Sequence, residues 1–421
     1  MRKIISNIKE NRYLFQIITL ISGTLLAQII SFASIPILTR LYTPSEFGLY
    51  SLFFAITSMV AMVSSLSYEQ SIVLPKSRKD AKAIFILSII ITFIFSIMSL
   101  VILLIFKSYI KNYFAQEQYL IYLIPISILI LGLTQIFDAY STREELYREI
   151  AFSKVTTATT ASITQITSKG LFNIDGLVFG KVLGDLFGSF VLFFNLKSRV
   201  SLRDVSRDDI IFNLRHYSSF PKYQMPSNLI NSISQNIPIF MLSALFSPAI
   251  AGFYSLTYRA MQTPILLISG ATRSVFYQKA SKIYAKGEDI YPLYISTTLG
   301  LIKLFIVPFI IILLFGQEIF IFVFGREWQE AGLIAQISII WFYFGFISPP
   351  TTMVFNILNL QHIRLYIQII TLILRAIAIY LGFLIFKSYI IAIALFIAVG
   401  VIHNGFNMVY IYYKLKKNRK N

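Results

Sequence analysis

The sequence predicts an all-α integral membrane protein with twelve transmembrane helices. Only 13% of its 421 residues are charged and 56% are hydrophobic, whereas an ordinary soluble protein carries about 25% charged residues. Mean hydropathy is +0.71, and apolar runs near the roughly 20 residues needed to cross a bilayer recur along the whole chain. So few charges cannot cover a water-facing surface. They suit a hydrocarbon-facing one, provided the backbone satisfies its own hydrogen bonds. The runs lack period-2 alternation, which selects helices over a β-barrel.

The predicted spans are 14–39, 47–74, 83–106, 118–140, 151–172, 175–196, 222–246, 249–276, 291–316, 331–357, 363–386 and 388–413. The first follows a basic, polar start (1–13). It is too long for a signal-peptide core and shows no small-residue cleavage site, so it reads as a retained span. The fifth is rich in hydroxyls (Thr156, Thr157, Thr159, Thr160, Ser162, Thr164, Thr167), a composition suited to facing neighbouring helices or a wet cavity. The sixth carries Gly176, Gly180, Gly184 and Gly188 at four-residue spacing, a pattern that lets another helix approach closely. In the tenth, Pro349-Pro350 is expected to interrupt the backbone ladder and bend the helix.

Charge sidedness supports the number twelve. With the N-terminus cytoplasmic, most of the 37 Lys and Arg residues fall in cytoplasmic segments, as the positive-inside rule requires. The C-terminus is then cytoplasmic too. The +18 net charge is thereby explained without nucleic acid as a partner.

An internal repeat divides the chain. LYTPSEFGLYSL (41–52) aligns without gaps to LFSPAIAGFYSL (245–256). The two copies lie between spans one and two and between spans seven and eight. Six spans per copy is an even number, so the halves enter the membrane in the same sense, as parallel pseudo-twofold repeats. The expected organisation is a bundle over 1–196, a cytoplasmic linker over 197–221 and a second bundle over 222–421, facing each other across a central cleft.

The first span of each half has a polar stripe. In span seven it is Asn228, Ser232, Gln235 and Asn236, with Asn231 beside it; in span one it is Thr24, Gln28 and Ser31. These spacings share a helical face, which serves either interhelical hydrogen bonding or the lining of a sugar-compatible cavity. Charges at membrane depth mark functional positions by default. Arg259, Arg375 and Lys303 have no carboxylate of obvious local pairing, so an inward orientation would make a cationic cavity suited to a phosphate or pyrophosphate. Glu69 and Arg273 occupy repeat-equivalent positions near cytoplasmic helix ends and are expected to pair as a gate. Lys181 and Asp185, one turn apart, are expected to neutralise each other.

The absence of cysteine, together with three scattered histidines (His216, His362, His403), removes thiol chemistry, disulfides and histidine-rich metal centres. No catalytic constellation is legible and the outside loops are short. The expectation is therefore a non-enzyme without metal or cofactor. The residues leave open whether H+ or Na+ drives it.

Several ordered motifs then carry a resemblance: RLYTPSEFGLYSLFFAITSMV and SYEQSIVLPKS in the first half, then FPKYQMPSNLINSISQNIPIFMLSALFSPAIAGFYSLTYRAMQTP, VFYQKAS, FGREWQEAG and FISPPTTMVFNIL. The chain resembles the Wzx-type bacterial oligosaccharide flippases of the multidrug/oligosaccharidyl-lipid/polysaccharide exporter superfamily. That resemblance implies a MATE-like pair of six-helix bundles in the bacterial inner membrane. It also implies alternating access and transfer of an undecaprenyl-pyrophosphate-linked oligosaccharide, an O-antigen or capsule unit, to the periplasmic leaflet. Its partners would be the lipid-linked oligosaccharide, membrane lipids and polysaccharide polymerase machinery. The alternative of the same fold is a cation-coupled multidrug or small-solute exporter. Multidrug members typically carry an acidic residue in span one, and none stands between Phe15 and Thr39 here.

Overall fold

The computed structural model describes residues 2–106, 120–169, 175–197, 204–358 and 360–418. Fourteen α-helices are present among them. We number these α1 (Arg2–Leu41), α2 (Pro44–Ala61), α3 (Arg78–Ile105), α4 (Leu120–Arg143), α5 (Tyr147–Thr167), α6 (Asp175–Lys197) and α7 (Arg207–His216). There follow α8 (Met225–Leu245), α9 (Pro248–Ala285), α10 (Tyr291–Phe324), α11 (Gln329–Ile347), α12 (Pro349–Ile357), α13 (Gln361–Leu384) and α14 (Tyr389–Asn418). Twelve of them have 18 residues or more and each overlaps one predicted span, but α2 stops at Ala61, where the second span is expected to run to 74, and the tenth span is divided between α11 and α12. Eight spans are by themselves long and apolar enough to cross a membrane. The remainder, α2, α5, α8 and α9, are the ones rich in hydroxyls and amides.

The surface is inverted relative to a water-soluble protein. Ile94, Ile97, Met98 and Ile105 of α3 and Leu304, Val307 and Leu314 of α10 are exposed, while Ser64, Ser65, Ser88, Thr92 and Thr57 are buried. In water such continuous apolar faces would drive aggregation. In hydrocarbon they are ordinary solvent contacts, and small polar residues take the interior because they let helices approach.

The chain divides into two compact units: residues Met1–Tyr42 with Leu49–Asn236, and Thr43–Gly48 with Ile237–Asn421. The boundary falls inside α8, one residue before its internal Pro238.

In the first unit, the glycine spacing of α6 does what it predicts. A Cβ at Gly180 would fall 2.5 Å from Gln165 of α5, and one at Gly184 would fall 2.7 Å from Ala161. Polar side chains of α5 reach α6: Ser153 donates to the Gly188 carbonyl at 2.7 Å and the Gln165 amide to the Leu177 carbonyl at 2.9 Å, whereas Thr167 is exposed and bonds back to Ile163. A buried cluster including Tyr68, Phe85, Phe137, Tyr140 and Leu192 closes the other end. Onto it docks α7, through Lys79–Asp209 at 2.8 Å, Asn213 donating to Asp80 at 3.2 Å and Tyr68 donating to the Leu214 carbonyl at 2.8 Å. The first-turn signal of α7 is a capping box of Ser206 and Asp209.

In the second unit, the double proline ends α11 at Ile347 and starts α12 at Pro349, so the predicted bend is a full break. Here the repeat also acquires a physical meaning. Thr43 and Ser247 are the N-caps of α2 and α9. Glu46 accepts from the Thr43 backbone at 2.6 Å, and Ser247 accepts from the Ile250 N–H at 3.4 Å. Pro44 and Pro248 take the first helical position, where a missing N–H is harmless. Gly48 and Gly252 complete each copy. A Cβ at Gly48 would lie 1.7 Å from the Pro248 carbonyl oxygen, and a Cβ at Gly252 would lie 2.0 Å from the Pro44 carbonyl oxygen. The two copies therefore pack on each other reciprocally, at a distance only glycine allows.

Candidate functional site

The first-unit candidates sit in a network of matched groups. Thr24 of α1 accepts from Lys154 of α5 at 3.4 Å. The charge of Lys154 acts in turn on Asp138 of α4. Gln28, one turn from Thr24, has its Oε1 buried without a partner. In α8, Asn228 donates to Ser67 at 3.3 Å and accepts from Gln224 at 3.0 Å, whereas Asn231 and Gln235 are exposed. Glu69 is buried in a short 3-10 turn at 5% exposure and accepts from the Ser65 hydroxyl. Lys181 and Asp185 pair at 2.5 Å as expected.

The second-unit candidates behave differently. Arg375 of α13 points into a group of rings. Its guanidinium carbon lies 5.2 Å from the Trp341 ring centroid on α11 and 5.0 Å from that of Phe396 on α14. Those two rings meet edge-to-face at 5.6 Å. Tyr254 and Tyr258 of α9 pack behind them at 6.2 Å from Phe396 and 6.3 Å from Trp341, respectively. The aromatic faces attract the cation, yet none accepts a directed hydrogen bond in the guanidinium plane. Among the described residues no carboxylate acts on Arg375, and its Nε is buried with no partner. A charge at membrane depth costs about 2.5–3.5 kcal/mol, and here the rings are the groups that face it.

The site continues along α14. Gly400 gives the guanidinium room, since a Cβ there would lie 3.1 Å from an Arg375 terminal nitrogen and 2.7 Å from the Trp341 indole nitrogen. One turn further on the same face stands His403, bonded to Thr371 at 2.7 Å and to Asn407 at 3.1 Å. Arg364, near the start of α13, acts on the same ring and is itself beside Arg273 of α9. Arg259 lies on α9 one residue beyond Tyr258 and is half-buried, and its carbonyl accepts from Thr263. Lys303 is exposed on α10 and is not among the charges acting on Arg375 or His403.

Sequence reasoning missed Asp138, Lys154, Arg364 and His403. For His403 a signal existed, because His403 and Asn407 are four apart on one helix face. Lys154 lies inside α5, within the fifth predicted span.

The described residues form an all-helical fold with eight helices long and apolar enough to cross a membrane. A Lipid II flippase MurJ structure in an inward closed conformation is similar with TM-score 0.75 and 14% identity, over 95% of this chain and 87% of that one. A MATE structure in complex with MaL6 is similar with TM-score 0.59 and 13% identity, over 96% and 97%. A MOP superfamily transporter from Pyrococcus furiosus gives TM-score 0.58 and 14% identity, over 97% and 95%. No curated protein matches the chain. The chain belongs to a family of polysaccharide biosynthesis proteins, whose model matches residues 37–332. That range contains most of the motifs that carried the resemblance, as far as FGREWQEAG.

Proposed function

We propose that this protein flips an undecaprenyl-pyrophosphate-linked oligosaccharide, an O-antigen or capsule repeat unit, from the cytoplasmic to the periplasmic leaflet of a bacterial inner membrane. The observation that carries the reading is Arg375, a ring-bound guanidinium with no opposing carboxylate, in a polysaccharide biosynthesis protein. A pyrophosphate bearing several sugars cannot cross about 30 Å of hydrocarbon unaided. Arg375, with Arg259, would take the pyrophosphate, for which the planar fork of arginine is suited. The amides and hydroxyls of α1 and α8 would take the sugars. Alternating access between the two bundles would complete the transfer without a covalent step, with both termini cytoplasmic and polymerase machinery receiving the product.

The test is deletion of the gene, followed by locating the lipid-linked oligosaccharide. The expected result is intact units held in the inner leaflet, unreachable by an external sugar-specific probe and released on re-expression. Normal outside levels in a strain with no second flippase would favour export of a drug or small solute instead.

A further inference from the structure

Two unfinished atoms stand in one cluster. Among the described residues, the buried side-chain atoms without a hydrogen-bond partner are mostly hydroxyls, which rotate freely. Two of the exceptions are Nε of Arg375 and Oδ1 of Asn407. The first is a donor lacking an acceptor; the second is an acceptor lacking a donor. Both belong to the ladder in which α13 places Thr371 and Arg375 against Gly400, His403 and Asn407 of α14.

The hydrogen bonds fix the state of His403. The Thr371 hydroxyl donates to the Ile367 carbonyl at 2.7 Å, so toward His403 its oxygen can only accept. Nδ1 therefore carries a proton. Nε2 lies 3.1 Å from the Asn407 side-chain amide and, with the amine turned toward it, accepts. The ring is neutral, with one vacant place for a proton, at Nε2. Protonation there needs one local change, rotation of the Asn407 amide. That rotation brings its partnerless oxygen onto the new N–H.

The charges acting on the ring are cationic. From α13, Arg375 and Arg364 act on His403, and Arg273 of α9 stands beside Arg364. From α11 comes Trp341. Tyr254 and Tyr258 of α9 face Arg375. No carboxylate among the described residues acts on the ring. An anion on Arg375 would cancel the opposing charge, and the vacant nitrogen would then fill.

We infer that His403 is a proton-binding site linked to anion binding at Arg375, so that the substrate's pyrophosphate and a proton enter the second unit together. This rests on the proposed function only in taking Arg375 as the pyrophosphate contact. By linkage, each ligand strengthens the other by the same factor. Substrate affinity falls as pH rises, by about tenfold per unit for one linked proton.

The experiment uses the full-length protein in lipid nanodiscs and a short-chain prenyl pyrophosphate as the probe. Calorimetry in buffers of different ionisation enthalpy, between about pH 5 and 8, counts the protons taken up on binding. The probe's own titration is common to all variants, so differences between variants are the readout. Wild type is expected to take up close to one proton more than His403→Gln, whose affinity then follows the probe alone. Asn407→Leu, which keeps the imidazole but removes the waiting oxygen, is expected to lose most of the uptake. Equal uptake in wild type and His403→Gln, with binding intact, overturns the proton site and leaves the flippase reading standing. Failure of wild type to bind the probe removes the anion contact at Arg375 and the linkage with it.

Discussion

The two units treat intramembrane charge in opposite ways. In the first, cation meets anion within the unit: Lys181 pairs with Asp185 at 2.5 Å, and Lys154 lies beside Asp138. In the second, Arg375 meets rings, the Arg273 charge acts on Arg364, and His403 meets neutral side chains. The first pattern is that of groups whose desolvation is offset internally. In the second, no carboxylate among the described residues acts on Arg375 or His403. Burial alone therefore does not mark a binding residue in a membrane; burial without a counter-charge does.

The strongest way to break the contrast is to remove the unopposed charge. Arg375→Ala is expected to weaken binding of a prenyl pyrophosphate about 10- to 100-fold, the range for a lost charge-assisted hydrogen bond. Arg375→Lys should fall between, keeping charge without the planar fork. Arg259→Ala/Arg375→Ala should abolish flipping in the external-probe assay; flipping that survives the double change removes both from the substrate path. A second variant gives the second unit the pairing of the first. Thr371→Asp sets a carboxylate four residues before Arg375, the spacing of Lys181 and Asp185, and should occupy the guanidinium and suppress probe binding while the protein stays folded.

Smaller effects are expected where charges are already matched. Asp185→Asn leaves Lys181 without its carboxylate and should lower unfolding free energy by about 1–3 kcal/mol, read by thermal unfolding in detergent. Lys181→Met/Asp185→Leu should recover most of that loss, because removing both charges also removes the desolvation cost. Flipping should persist in both. The smallest change concerns α7. The Lys79 ammonium, and after it the Ser206 capping bonds, hold the Asp209 carboxyl down at about 2. A depressed carboxylate stabilises above its unfolded value of about 3.9 and loses that contribution as pH falls toward about 2. Docking of α7 should thus withstand mild acid, and Asp209→Asn should speed amide exchange in α7 with little change in melting temperature.

Much of the fold was legible because membrane-crossing helices answer to one-dimensional rules. Hydropathy located twelve long helices, the glycine spacing of α6 foretold its contact with α5, and Pro349-Pro350 marked the break before α12. The charged site was only half legible. Arg375 stood out as a charge in an apolar run, but its ring partners come from α11 and α14, which no local spacing reveals. Glu69 and Arg273 invite pairing by repeat position; within its own unit Glu69 accepts from the Ser65 hydroxyl, and within the other the Arg273 charge acts on Arg364. Lys303 looked equivalent to Arg375 in sequence and proves exposed, because the long flexible stem of lysine lets it reach a helix surface. Asp138 escaped notice because it lies near the end of α4, where a carboxylate needs no special explanation until Lys154 of the next helix is seen beside it.

The reciprocal packing of the repeat binds the histories of its two copies. A duplicated segment normally frees one copy to drift while the other keeps its role. Here Gly48 faces the Pro248 carbonyl and Gly252 faces the Pro44 carbonyl, so neither copy has a private surface. An allele at Gly48 is a lesion in the later copy as much as in its own. Its suppressors belong around Pro248, nearly half the gene away, and a selection screen for such second-site revertants would map the contact without any structural measurement.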